Sequence, residues 1–225
     1  MSVHTTELYR SSLSQREQLV RLARSKGLKS RNALPPIIST ERIGVIPLSF
    51  AQQRLWFLSR FEGASAAYHI AGGLRLIGRL EREPLVRALD RIVARHEALR
   101  TVFVQGDDGV PVQQVAAAEA GFALSEHDLR SMADAEGELQ RLVAVEATAP
   151  FDLERGPPIR GRLVRLDADE HVLLVTMHHI VSDGWSMSVL TRELSLLYAA
   201  FARGETDPLP ALAIQYGDYA VWQRR

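Results

Sequence analysis

Between His171 and His178 the chain runs Val172-Leu173-Leu174-Val175 with no polar interruption. A strand with one wet face alternates apolar and polar residues, so an unbroken β-rich apolar run calls for cover on both faces. The rest of the sequence supplies that cover. Ile159–Leu166 reads as a partner strand, joined to His171–His178 through the acidic turn Asp167–Glu170. Leu85, Leu89, Ile92, His96 and Leu99 recur at helical spacing and predict a helix over residues 84–100, with Pro84 in its first turn. Ala133–Ala147 and a long segment carrying Leu190, Leu194, Leu197, Tyr198 and Phe201 predict two more helices, the last stopping at Gly204. Leu48–Arg60 reads as a helix and Tyr68–Ile77 as a strand, where Gly72-Gly73 marks a bulge or a close backbone approach. Thr101–Gln105 and Val110–Val115 flank Gly106-Asp107-Asp108-Gly109, a hairpin signal. Helices and strands alternate irregularly, so the expected fold class is α/β (α+β layered), a mixed sheet flanked by helices.

Residues 1–46 read differently. Ser14-Gln15-Arg16-Glu17 has capping-box spacing, Leu19, Leu22 and Ala23 share a face, and Gly27 suits a helix end. From Leu28 to Ile46, with Pro35-Pro36 and no period, the chain reads as a linker. This segment is either a solvated helix on the main domain or a docking segment. The main domain is expected over 47–225.

Composition narrows the function classes. Lys and Arg number 27 against 27 Asp and Glu, so the basic surplus of a nucleic-acid binder is missing. Residues 1–40 carry seven of those bases against two acids. The chain has no cysteine, which removes disulfides, cysteine-ligated metals and thiol nucleophiles together. No apolar run reaches the roughly 18 residues of a membrane span, and the N-terminus lacks a signal-peptide apolar region. The expectation is a cytoplasmic protein without nucleic-acid or membrane partners.

One segment carries chemistry: His178-His179-Ile180-Val181-Ser182-Asp183-Gly184-Trp185-Ser186. It starts where the buried strand ends and finishes where a helix begins, the junction at which α/β folds place ligand sites. Three readings compete. As metal ligands, His178 and His179 are unsuited, because neighbours on a strand point to opposite faces. As structural groups, His178 and Asp183 fit well: Asp183 can cap the helix or pair with an arginine, and Gly184 can relieve a tight turn. As chemistry, one imidazole can accept a proton from an attacking amine or hydroxyl. No protein nucleophile is needed if the acyl group arrives as a thioester, and no Gly-x-Ser-x-Gly elbow is present.

His178–Ser186 resembles the His-His-x-x-x-Asp-Gly motif of the condensation domains of non-ribosomal peptide synthetases, in the chloramphenicol acetyltransferase-like superfamily. Three further segments fall in that family's order. Leu48–Leu58 (LSFAQQRLWFL) resembles its first core motif, Arg95–Phe103 (RHEALRTVF) the second and Tyr216–Trp222 (YGDYAVW) the fourth. The resemblance implies a chloramphenicol acetyltransferase-like N-terminal subdomain, with the C-terminal subdomain and its later motifs absent. It implies a tunnel entered by the phosphopantetheine arms of donor and acceptor carrier proteins, with no cofactor bound directly and an adenylation domain as a neighbour. His179 is the implied catalytic residue, with His178, Asp183 and Gly184 as the structural part of the motif and Trp185 and Ser186 lining the tunnel. The residues outside that segment have plainer readings: Arg95 and Arg100 near a helix end, His96 in the core, and Tyr216, Tyr219 and Trp222 as a packed aromatic face. The implied reaction is amide formation between a carrier-bound thioester and a carrier-bound amine. The competing expectation is a truncated, non-catalytic module that binds carrier proteins or a neighbouring synthetase chain.

Overall fold

A computed structural model describes residues 34–41, 45–61 and 65–225. The chain divides into two compact units, Met1–Pro36 and Ile37–Arg225. The capping-box helix expected near Ser14 lies outside the described residues, and the architecture below is that of the second unit.

Its centre is a four-stranded sheet in the order β2-β7-β6-β5, built from β2 (His69–Ile77), β5 (Leu124–Asp128), β6 (Ile159–Asp167) and β7 (Glu170–His178). β5 runs parallel to β6 and the other pairs are antiparallel, so the sheet is mixed. The apolar run sits in the central strand β7, where every residue from His171 to His178 is buried. Leu173, Val175 and Met177 face one side, packed with Leu85, Leu89 and Ile92 of α2 (Arg82–Arg95) and Leu190, Leu194 and Leu197 of α4 (Gly184–Ala202). Val172 and Leu174 face the other side, under Leu139 and Leu142 of α3 (Ala135–Thr148). Cover on both faces, read from the unbroken apolar run, is what the strand has.

A smaller sheet, in the order β1-β4-β3, joins β1 (Ile46–Pro47), β3 (Thr101–Gln105) and β4 (Pro111–Val115). Phe103 of β3 is fully buried and meets Leu48, Leu153 and Ile180, so the small sheet is fastened to the turn that follows β7. α1 (Phe50–Ser59) opens on a capping box in which Ser49 Oγ accepts from Gln52 N and Gln52 Oε1 accepts from Ser49 N. α5 (Tyr216–Gln223) carries Tyr216, Tyr219 and Trp222 as an aromatic row, Tyr216 tilted against Tyr219 and Tyr219 stacked on Trp222.

Two expectations change, and a choice left open at Gly72-Gly73 is decided. The helix expected over 84–100 stops at Arg95; His96 is extended and Glu97–Arg100 forms a separate 3₁₀ turn. The cause is Glu193 on α4, whose carboxylate meets Arg95 Nε at 3.4 Å and His96 Nε2 at 2.7 Å, drawing both side chains to one point. Gln215 then bridges the break, accepting from Glu97 N and donating to Arg95 O. Gly72-Gly73 is a close approach and not a bulge, since the β2–β7 register is unbroken and a Cβ on Gly72 would lie 2.5 Å from Met187 Cε. Ile46, read as linker, pairs with β4, and Thr40 donates from N and Oγ1 to Asp218.

Candidate active site

The end of β7 is pinned from both neighbours. His178 N donates to Pro158 O at 2.9 Å and His179 N donates to Tyr68 O at 2.8 Å. Alternation along the strand sends the two imidazoles to opposite sides. His178 turns toward the α3 side, fully buried against the rings of Phe151 and His69. His179 turns the other way and is exposed. The two histidines and Asp183 therefore do not converge on one point.

His178 organises the turn. Its Nδ1 accepts from Ile180 N at 3.1 Å, and its carbonyl receives Val181 N and Ser182 Oγ, both at 3.1 Å. An acceptor at Nδ1 places the ring proton on Nε2, which is buried without a partner among the described residues. Burial, with the nearby rings of His69 and His179 adding to it, depresses its pKa from the ordinary 6.5 to about 4. A histidine held neutral in this way stabilises the fold above its unfolded pKa, and that contribution is lost as pH falls from 6.5 through 4. At about 1.4 kcal/mol per unit the loss amounts to about 3 kcal/mol. Urea titrations at pH 7.5 and 4.5 check this: wild type loses stability between them, and His178→Gln shows a flatter dependence. An equal loss in both would remove His178 as the cause.

The turn ends by locking His179. Its Nδ1 lies 2.6 Å from the carbonyl oxygen of Ser182. A carbonyl only accepts, so Nδ1 carries the proton and the neutral ring keeps its lone pair on Nε2. The exposed His179 side chain is thus held at Nδ1, with Nε2 as its acceptor nitrogen.

Asp183 starts α4. Its Oδ1 accepts from Ser186 N at 2.9 Å and from Ser186 Oγ at 2.7 Å, while Ser186 Oγ accepts from Asp183 N at 3.0 Å. These bonds from Ser186 hold the Asp183 carboxyl below the usual carboxylate range. No arginine among the described residues pairs with it. Asp183→Ala removes the cap and is expected to cost about 1 kcal/mol in urea titration; no change would mean that the cap is replaced by water without loss. Gly184 has no positive φ, and a Cβ there would meet nothing within 4 Å. The tight-turn reason for a glycine is therefore not the one operating. Trp185 is 78% exposed, and Ser186, half-buried, is occupied by the capping box. Both border a small cavity of about 140 Å³ shared with Leu99, Met177, Val181 and Val189.

The other three motif segments build scaffold. Arg95 and His96 share Glu193, as above. Gln52 Nε2 donates to Gln113 Oε1, and Gln113 Nε2 donates to Pro47 O, tying α1 to the small sheet. Asp218, fully buried, accepts from Gln215 N at 2.7 Å as well as from Thr40. Ser49 Oγ and the Tyr216 hydroxyl lie 3.1 Å apart, joining the first and fourth segments, and burial raises the Tyr216 pKa. Glu193, Gln215 and Gln113 were not singled out in the sequence. The available signal for Glu193 was a charge at i+3 from Leu190 on an otherwise apolar helix face. Among the described residues no group of histidine, aspartate and glutamate side chains is placed to hold a metal, and no helix is long and apolar enough to cross a membrane.

Comparison with known proteins adds a family to this geometry. Residues 42–225 match the family model described as Condensation domain. Malpibaldin synthetase of Mortierella alpina is 51% identical over 198 residues, which are 87% of this chain and 4% of that protein. A dimodular nonribosomal peptide synthase of Bacillus subtilis is 42% identical over 195 residues, again 87% of this chain and 8% of the relative. Among solved structures, an X-domain in complex with OxyB from teicoplanin biosynthesis matches with a TM-score of 0.77 and 34% identity, covering 86% of this chain and 41% of that one. The first condensation domain of the calcium-dependent antibiotic synthetase, bound to a substrate analogue, matches with a TM-score of 0.67 and 29% identity, covering 75% and 40%. The chain thus spans less than a tenth of these relatives and about two fifths of these solved chains.

Proposed function

Because this chain belongs to the condensation-domain family, we propose that it forms the histidine-bearing half of an amide-forming acyltransferase in a non-ribosomal peptide synthetase. The observation that carries this reading is the His179 ring, exposed and held at Nδ1 by the Ser182 carbonyl, which leaves Nε2 as the acceptor. An acceptor amine held against Nε2 attacks the thioester carbonyl of a donor, and His179 takes the amine's proton. The C–N bond forms, the C–S bond breaks, and the departing thiolate takes up a proton. Such proton transfer contributes about 10²–10⁴ in rate. The substrates would be aminoacyl or peptidyl groups on the phosphopantetheine arms of two carrier proteins, loaded by an adenylation domain, in the cytoplasm. In this reading 47–225 supplies one wall of a tunnel whose other wall comes from a second subdomain, and 1–46 serves as a linker or docking segment. Gly184 and Trp185, open on the surface beside the turn, would border the substrate path.

A second reading is a binding module without turnover, favoured by the similarity to the X-domain solved in complex with OxyB. The deciding assay places this chain in a full-length condensation domain and supplies both carriers, one loaded with a donor thioester and one with an acceptor amine. The enzyme reading expects amide on the acceptor carrier. Carrier binding without product supports the second reading and contradicts the first.

A further inference from the structure

At the far end of the large sheet a cavity of about 440 Å³ opens where α2 begins. Its lining includes Arg79, Arg82, Glu126, Asp128, Arg165 and His171. Three of these form a row across the sheet, because Asp128 pairs in register with Arg165 and Arg165 with His171. His171 is eight residues from His179 along an extended strand, about 26 Å, so one small ligand cannot serve both.

The charges in the cavity do not cancel. Arg82 is closed by Glu126, with Nε donating to both carboxylate oxygens at 2.8 and 3.0 Å. Asp128 is closed by Arg130, whose Nη2 donates at 2.6 Å. Arg165 donates to the carbonyls of Asp167 and Ala168 at 3.2 and 3.4 Å and has no carboxylate within ion-pair distance among the described residues. Arg79 is exposed and makes no hydrogen bond or ion pair among the described residues. Two guanidinium groups are therefore left over. At the same place α2 begins, with Glu81 as an N-cap that makes no side-chain bond to the first-turn amides and Glu83 in the first turn, so the helix end is already faced by its own carboxylates and adds nothing to the surplus of the two arginines.

His171 is the independent sign of a ligand. It is 7% exposed and lines the cavity, and its Nδ1 is buried without a partner among the described residues. A buried polar group left unsatisfied calls for an explanation, and a ring that turns to meet a ligand in the cavity is one. Burial, then the charges of Arg165 and Arg130, hold its pKa below the ordinary value, against the opposing pull of Asp128 and Asp169. An anion arriving beside the ring favours its protonated form.

We propose that this cavity binds a phosphate monoester as its dianion, held by Arg79 and Arg165 and by the His171 ring. Two unmatched guanidiniums select two negative charges, and planar N–H forks suit phosphate oxygens. The cavity has room for a small organic group on the ester. The site is separate from the amide-forming reading and stands or falls without it.

The test titrates inorganic phosphate and glycerol phosphate into the 225-residue chain at constant ionic strength, following the His171 ring by NMR. Both probes are expected to give saturable shifts and to raise the His171 titration midpoint. Dimethyl phosphate, a monoanion, is expected to bind at least about tenfold more weakly, the scale of one lost charged contact. Arg79→Ala, an exposed change that leaves the fold alone, is expected to raise the phosphate Kd by about tenfold or more. The Arg79→Ala/Arg165→Ala double variant is expected to lose saturation. Shifts that never saturate, an unchanged Kd in Arg79→Ala, or equal binding of dimethyl phosphate would each overturn the proposal. If the double variant fails to fold, the single variant and the diester decide alone.

Discussion

In a full-length condensation domain carrying this chain, His179→Ala is expected to form amide about 10²–10⁴-fold more slowly than wild type under single-turnover conditions. The size follows from what the ring does in the turn. Its Nε2 is the imidazole acceptor left at the β7–α4 junction, because His178 is buried and neutral and Asp183 is engaged in the cap. A thioester is already activated, so the amine can still react slowly without proton removal, which keeps the loss below complete inactivation. Folding should be nearly untouched. The side chain is exposed, and its bond to Ser182 O can be replaced by water, so the change in stability is expected below about 1 kcal/mol. The two readouts separate roles: a structural histidine would lower stability and carrier binding, whereas a proton acceptor lowers rate alone. An unchanged rate removes the catalytic assignment.

The second large effect is on stability and comes from Glu146, on α3. Its carboxylate is buried between two arginines of β6, with Oε1 at 2.7 Å from Arg160 Nε and Oε2 at 2.6 Å from Arg162 Nε. Arg160 also donates to the carbonyls of Glu146, Ala149 and Pro150, closing the C-terminal end of α3. Its guanidinium lies 3.9 Å over the ring of Phe151, which packs in T-shaped contact with His69 and His178. Glu146→Ala leaves two arginines, each about one fifth exposed, without their shared counter-charge. Breaking a buried ion pair on one side typically costs about 3–5 kcal/mol, and the partial exposure of both arginines puts the expected loss at about 3 kcal/mol in urea titration. Glu146→Gln, which keeps the acceptor oxygen, should lose less. A loss under about 0.5 kcal/mol for alanine, the level of an ordinary surface change, would contradict this view of how α3 is held.

Much of this was legible in the residues themselves. The continuous apolar run at Val172–Val175 required a doubly covered central strand because no other arrangement removes that surface from water. His178 and His179 separated onto opposite sides because strand alternation leaves no choice, and the same geometry set the metal reading aside. The regular spacing of Leu85, Leu89 and Ile92 located α2, and the glycines around Asp107-Asp108 located the hairpin. What escaped was non-local. The helix over 84–100 breaks because Glu193, almost a hundred residues later, gathers Arg95 and His96. β1 and β5 are too short to carry a period, and each exists because a longer strand offers an open edge. The lock on His179 depends on a backbone carbonyl three residues ahead, which no side-chain pattern announces. Gly184 looked like a turn residue, yet the turn does not require it.

The proposed chemistry of His179 depends on one atomic claim, that Ser182 O holds its proton on Nδ1 and leaves Nε2 as the base. Long-range ¹H–¹⁵N NMR of the neutral ring reads this directly in the 225-residue chain. The structure predicts a protonated, pyrrole-like Nδ1 and an unprotonated, pyridine-like Nε2. The opposite assignment, or an averaged signal showing a freely turning ring, would contradict the claim and leave His179 without the fixed base that proton removal from the amine requires.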